Sequence, residues 1–106
     1  MKIKSIVNMN KMEVLNAQAD SIGMLQAAKA DKEYVITGHA FLEKEDGTNL
    51  LILKTESDTI ATTSKTVIET FTLAVDGVEK YTITAKFIEN NGKRTYYTIT
   101  IVDMDM

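Results

Sequence analysis

Cationic and aromatic side chains close to the end of the chain are the residues whose types could bind a charged ligand. Lys93, Arg94 and Tyr96 directly follow the Asn-Gly pair at residues 91–92, and Lys80 and Lys86 precede it. Cations that follow phosphates and rings that stack on bases are what proteins use to hold single-stranded nucleic acid without sequence preference. These residue types therefore predict a binding surface.

Two alternating runs on either side of Asn91-Gly92 would position these side chains as a hairpin with a tight turn. Because strand side chains alternate, each run has one inward and one outward set. The inward sets are Tyr81, Ile83, Ala85 and Phe87, then Tyr97, Ile99 and Ile101. The outward sets are Lys80, Thr82, Thr84 and Lys86, then Arg94, Tyr96, Thr98 and Thr100.

The outward set also has a simpler interpretation. Lysine and threonine on the open face of an antiparallel sheet keep it soluble and discourage pairing between sheet edges. From the pattern alone this interpretation is favoured, since any such sheet shows some lysine and tyrosine outside.

A second hairpin is predicted from Glu33 to Thr55, with its turn at Asp46-Gly47. Gly38 would allow a bend or bulge in its first strand. His39 and Phe41 are predicted to face outward and join the candidate binding residues, while Leu50 to Leu53 lack polar alternation and predict a central strand buried on both faces. The predicted inward set is Tyr34, Ile36, Ala40 and Leu42.

The remaining segments are predicted more coarsely. A short strand at Thr59 to Thr62 leads into a helix capped by Ser64 or Thr66 and ended near Gly77, with a strand as the alternative. At the front, residues 3–7 and 12–15 are predicted as short strands and residues 21–29 as one or two helical turns. The fold class is therefore mainly β: one domain over residues 1–106, built as a small antiparallel barrel or sheet, similar to the oligonucleotide-binding (OB) fold, with one short helix.

The composition disfavours an enzyme and a bound cofactor. His39 is the one histidine and cysteine is absent, so zinc sites built from these ligands are excluded and no metal site is expected. The five glycines are scattered and form no phosphate-binding loop or dinucleotide motif. No nucleophile motif lies near His39, for which a structural or surface role is the simpler interpretation.

The formal net charge of −3 argues mildly against nucleic acid, although phosphate responds to the local patch and the acids cluster at turns and ends. Neither a signal peptide nor a run of about 20 apolar residues is present, so we expect a soluble, intracellular protein that does not bind a membrane.

Four segments together resemble the small single-stranded DNA-binding proteins of bacteriophages with protein-primed DNA replication. They are Val14 to Gln18, Tyr34 to Ala40, Ser64-Lys65-Thr66-Val67 with Glu69, and the closing hairpin. The resemblance implies an OB-like fold that coats displaced single strands in the cytoplasm of a bacterial host, cooperatively and with little sequence preference. The resemblance draws attention to Tyr34, Tyr96 and Tyr97 as candidate DNA contacts. The acidic end of this chain, Asp103 to Met106, faintly resembles the tails through which such proteins recruit replication proteins.

A second hypothesis is an accessory phage protein that binds another protein, such as an inhibitor of a host defence nuclease or a small component of the virion. The acidic balance would suit contact with a basic, nucleic-acid-handling surface. Exposed sheet edges favour self-association under either hypothesis.

Overall fold

A computed structural model describes residues 2–20, 33–56, 59–92 and 95–105. Within these ranges the chain forms six strands and two helices. Their order is β1 (Lys2–Val7), α1 (Lys11–Asp20), β2 (Glu33–Glu43), β3 (Asn49–Thr55), β4 (Thr59–Thr62), α2 (Lys65–Ala74), β5 (Thr82–Asn91) and β6 (Thr95–Asp105).

All the strands pair antiparallel in one sheet, in the order β4-β3-β2-β5-β6, and β1 also pairs with β2. The long strand β2 has β3 along one edge, while β5 and β1 share its other edge end to end. The predicted mainly β fold is confirmed. Among the described residues β4 and β6 do not pair with each other, so the barrel-or-sheet alternative resolves to an open sheet.

Both faces of the central strand β3 are covered. On one face Val67 and Phe71 of α2 and the C-cap residue Val75 are buried with β3 side chains such as Leu51 and Leu53. On the other face β1 and α1, the latter through Val14, cover the alternate residues of the same strand. All four residues from Leu50 to Leu53 are buried, so the predicted central strand is confirmed.

The bulge predicted at Gly38 is present, since the register between β2 and β3 shifts between Ile36 and Gly38. A shift of one residue exchanges the faces of all later side chains. Tyr34 and Ile36 consequently pack on the α2 side, whereas Ala40 and Leu42 pack on the opposite side. The predicted inward set is buried as expected, but it divides between two faces.

Helix α1 corrects the strand predicted at residues 12–15. Asn10 and Glu13 cap its start reciprocally: the Glu13 N–H donates to Asn10 Oδ1 at 2.8 Å and the Asn10 N–H donates to Glu13 Oε1 at 3.1 Å. Glu13 also pairs with Lys54 on β3 at 2.7 Å. This capping box stabilises a helix start, which outweighs the apolar run that suggested a strand. The turns predicted at residues 21–29 lie outside the described residues.

Helix α2 is the helix predicted between the hairpins, and the strand alternative is wrong. Ser64 is its N-cap, with Oγ accepting from the Val67 N–H at 3.5 Å. Val67 and Phe71 are four positions apart, so both fall on the face that packs against the sheet. After the helix, Gly77 adopts a φ of 72° that favours glycine.

The two hairpin turns differ from each other. Between β2 and β3 the turn is as predicted, because Gly47 has a φ of 88° and its N–H donates to the Lys44 carbonyl at 2.9 Å. Between β5 and β6 the predicted hairpin is present, and Asn91, paired with Thr95, is the last residue of β5. Gly92 does not have the positive φ that was predicted for it.

Candidate nucleic-acid interface

The outer face of the β5–β6 hairpin matches the predicted alternation. Ile83, Ala85, Phe87 and Ile99 are buried in the core beneath α2. The residues between them therefore lie on the opposite face, where Thr84, Lys86 and Thr98 are half-buried and Thr100 is exposed. This face belongs to the end of the sheet where β2 pairs with β5, away from β1.

Charge is distributed unevenly along this outer face. Lys86 lies between Thr100 on β6 and Glu33 on β2 in the pairing register. Towards the open end of the hairpin, Asp103 pairs with Thr84 and Asp105 with Thr82. A phosphate chain would be repelled by that acidic end. The face is therefore suited to an anion only from Lys86 towards the connection of the two strands.

The strands remain paired up to their connection. Asn90 pairs with Tyr96, and the Asn90 side-chain amide donates to Thr98 Oγ1 at 3.2 Å and to the Ile88 carbonyl at 3.3 Å. These bonds fix the backbone that carries Tyr96. Lys93 and Arg94 lie outside the described residues, as do the side chains of Tyr96 and Tyr97.

His39 does not face outward as predicted. It is 3% exposed, and its ring packs against Phe71 of α2 at 5.2 Å and against Tyr81 at 5.7 Å between ring centroids. The physical reason is the bulge at Gly38, which turns His39 to the α2 side. Burial lowers the pKa of His39 to about 4, so the imidazole is neutral at pH 7 and is not a cation for phosphate.

Tyr34 is also inside the sheet. It is 4% exposed and contacts Phe87 edge-on with ring centroids 5.7 Å apart. This position agrees with its assignment to the inward set of β2. A ring so enclosed cannot stack on a base without opening the core, which removes Tyr34 from the candidate contacts in this fold.

Phe41 is half-buried, with its ring 4.9 Å from that of His39, and it lines a cavity of about 300 Å³ between α2 and the β1–β2 pair. Ile68 of α2 is a second apolar residue in its lining, together with the exposed polar residues Lys4, Asn49 and Thr72. No pattern in the sequence joins these residues. Lys4 and Phe41 come close together because β1 pairs with β2, with Ser5 opposite Phe41.

Lys80 is exposed as predicted but lies apart from Lys86. It lines a shallow depression of about 430 Å³ with Asn8, Thr82 and Asp105, so an acid accompanies its charge. Apart from His39 and Tyr34 in the core, the described binding candidates are thus distributed over three places. Lys86 and the Tyr96 backbone share the hairpin, Phe41 lines the cavity on the α2 side, and Lys80 lies near the open end of the hairpin.

Across the described part of the chain, no group of three or more histidine, aspartate or glutamate side chains could hold a metal ion. No helix in the same residues is long and apolar enough to cross a membrane.

Compared with known proteins, the chain matches no family model, no curated protein and no solved structure.

Proposed function

We propose that the protein is a non-catalytic, sequence-tolerant single-stranded DNA-binding protein whose interface is the outer face of the β5–β6 hairpin and its connecting residues. The observation that supports this most is the register of the hairpin. It places Lys86 and the hydroxyls of Thr98 and Thr100 on the face opposite α2, which leads towards the sequence segment Lys93-Arg94-Thr95-Tyr96.

The chemistry of this face suits a single strand better than a duplex. Lys86, Lys93 and Arg94 supply cations for phosphates, and Tyr96, expected outward from the strand alternation, supplies a ring for stacking. Stacking on an aromatic ring contributes about 1–3 kcal/mol per base and needs a base that is not already stacked in a duplex.

The fold supports this location over the face that OB-type barrels commonly use. Such barrels bind oligonucleotides on the face of their second and third strands and through the loops beside them. If β2 is counted as the first strand, that face would be the outer side of β3 and β4. Here Leu50, Ile52 and Ala61 on that side are buried under β1 and α1. The hairpin leaves its outer residues uncovered by either helix.

The biological setting of the proposal comes from the resemblance to phage proteins of protein-primed replication. In that setting the protein coats displaced single strands in the cytoplasm of the bacterial host. Copies associate along the strand, and replication proteins are the expected partners.

The test is fluorescence anisotropy of a labelled oligo-thymidine at several salt concentrations, with duplex DNA as competitor. We expect binding that weakens with salt and that duplex does not displace. Arg94→Gln and Tyr96→Leu should each weaken it. Lys11→Gln, which removes an exposed cation at the start of α1, is the matched control and should not. Absence of binding at low salt, or equal affinity for duplex, would contradict the proposal.

A second candidate, contact with another protein, is favoured by Leu73 on α2. This side chain is 79% exposed although its helix packs on the sheet through Val67 and Phe71. Exposed apolar side chains of this size are common at protein contacts, although single ones also occur on ordinary surfaces. Copurification of one host protein that Leu73→Lys abolishes, without oligonucleotide binding, would favour this candidate.

A further inference from the structure

The cavity between α2 and the β1–β2 pair has the composition of a small-ligand site. Its volume of about 300 Å³ lies at the lower end of the range for ligand pockets, which are mostly apolar with a few polar groups. Phe41 and Ile68 supply its apolar side chains, and the exposed polar residues Lys4, Asn49 and Thr72 also line it.

The charge of the lining differs from that of the chain. Among the residues that the structure describes, Lys4 is the one charged residue that lines the cavity and no carboxylate does, whereas the whole chain has a formal charge of −3. The cavity is therefore a locally cationic place on an acidic protein. A ligand with an apolar body and a negative group fits this arrangement, since Lys4 is exposed and free to turn towards an anion.

The polar residues that line the cavity offer both hydrogen-bond donors and acceptors. The Thr72 hydroxyl donates to the Ile68 carbonyl at 2.6 Å, so its oxygen remains available to accept a bond from a ligand. The Asn49 side-chain amide can both donate and accept. A planar nucleobase presents both kinds of group on its edge, and Phe41 supplies a ring of the type on which bases stack.

We propose that this cavity binds one nucleoside monophosphate unit, with the base against Phe41, the base edge at Asn49 and Thr72, and the phosphate at Lys4. The unit is either a free nucleotide or one nucleotide of a strand. This site goes beyond the proposed hairpin interface, because Phe41 packs on the α2 side of the sheet and Lys86 on the other. Along β2, Phe41 also lies about 25 Å from Glu33, the register partner of Lys86.

The test is NMR titration of the ¹⁵N-labelled full chain with thymidine monophosphate, thymidine and inorganic phosphate in separate experiments. We expect thymidine monophosphate to shift the amide signals of Phe41, Ile68 and Thr72 and to bind more tightly than either part alone. A parallel titration with oligo-thymidine distinguishes the sources. Shifts of the same signals assign the site to a strand, and their absence assigns it to the free nucleotide.

Lys4→Gln should weaken thymidine monophosphate binding about tenfold, because a charge-assisted bond to phosphate is lost. Lys2→Gln, on the same strand but outside the cavity lining, is the matched control and should leave binding unchanged. Arg94→Gln should also leave it unchanged, which separates this site from the hairpin interface. Equal effects of Lys4→Gln and Lys2→Gln, or no shifts at millimolar nucleotide, would overturn the proposal. A preserved spectrum of each variant verifies the fold.

Discussion

The Nδ1 atom of His39 and the hydroxyl oxygen of Tyr81 lie 2.6 Å apart and share a hydrogen bond inside the protein, although 42 positions separate the two residues in the chain. The bond joins the middle of β2 to the residue just before β5, beneath Phe71 of α2. Burial lowers the pKa of His39 to about 4 and raises the pKa of Tyr81. Both rings are consequently neutral at pH 7, and the pair stabilises the fold without a buried charge.

The first prediction concerns the stability of the fold at acidic pH. Because the folded protein holds the pKa of His39 near 4, below the ordinary value of 6.5, the unfolded chain takes up a proton first as the pH falls. The contribution of neutral His39 to the unfolding free energy is therefore fully present above about pH 6.5 and is lost as the pH falls towards 4. The pKa difference corresponds to about 3 kcal/mol of unfolding free energy. Urea unfolding at a series of pH values from 7 to 4 measures this loss.

His39→Gln is the control for that experiment, since it removes the titrating ring while the carboxylates that also titrate near pH 4 remain. Its stability should change less between pH 7 and 5 than that of the wild type. The single histidine also allows a direct reading, because its ring proton signals can be followed by NMR. A titration midpoint of 6 or higher in the folded protein would contradict the buried, neutral state.

The second prediction concerns the phenol of the pair. Tyr81→Phe keeps the ring but removes the hydroxyl, which leaves the Nδ1 atom of His39 buried without this partner. We expect a loss of about 1–2 kcal/mol in unfolding free energy, the cost of a buried hydrogen bond with one group left unpaired. A double-mutant cycle with His39→Gln isolates the bond. Additive effects of the two substitutions would mean that the two side chains do not interact.

The pair also illustrates which features the sequence could predict. Alternation placed Tyr81, Ile83 and Phe87 correctly in the core, since nothing interrupts their side of β5. His39 was assigned to the wrong side because the bulge at Gly38 exchanges the faces of β2 within the strand. The glycine signalled a bulge, but its position relative to the partner strand depends on long-range pairing that no local pattern contains.

The third prediction concerns Gly38 itself. A Cβ atom at this position would lie 2.6 Å from the carbonyl oxygen of Asn8 and 3.0 Å from its carbon. Asn8 has a φ of 56°, so the backbone there already has a conformation that few residues tolerate. Because backbone cannot move aside cheaply, Gly38→Ala should cost about 1–3 kcal/mol of stability. Thermal or urea unfolding measures the effect.

Gly92→Ala is the matched control for Gly38→Ala. A Cβ atom at Gly92 has nothing within 4 Å, and its φ is not in the left-handed region. We expect a change of at most a few tenths of a kcal/mol, since the substitution chiefly reduces the freedom of the unfolded chain. Equal destabilisation by the two substitutions would show that the close approach of Asn8 to Gly38 is not what requires glycine.

The fourth prediction concerns the capping box of α1. Asn10→Ala removes the oxygen that accepts from the Glu13 N–H at 2.8 Å and should lower the unfolding free energy by about 1 kcal/mol. Urea unfolding of the variant measures this loss, and an unchanged free energy of unfolding would contradict the prediction.

The candidate interface was less predictable than the fold. The outward set of the hairpin follows from period-2 alternation, and Thr84, Lys86 and Thr100 conform to it. The cavity beside Phe41 does not follow from any period, because Lys4, Asn49 and Thr72 come from three elements. Helix α1, by contrast, could have been predicted locally, because Asn10 and Glu13 have the spacing of a capping box.

The last prediction compares Lys86 on β5 with Lys80, which precedes that strand. Lys86 lies on the outer hairpin face, and Lys80 lies beside Asp105 at the acidic end. If DNA follows the face from Lys86 towards the connection of β5 and β6, Lys86→Gln should reduce the salt dependence of oligo-thymidine binding by about 0.7 in logarithmic slope, the value for one phosphate contact. Lys80→Gln, the matched control, should leave the slope unchanged.

Substitution of Glu33 should have the opposite effect on oligo-thymidine binding in the same experiment. It is the register partner of Lys86 on β2 and is exposed, so its carboxylate opposes a phosphate at this position. Glu33→Gln should therefore strengthen oligo-thymidine binding at low salt, with the gain disappearing as salt screens the charge. Anisotropy titrations of all three variants at two salt concentrations measure these effects. A reduced slope with Lys80→Gln, or weaker binding with Glu33→Gln, would place the DNA elsewhere on the sheet.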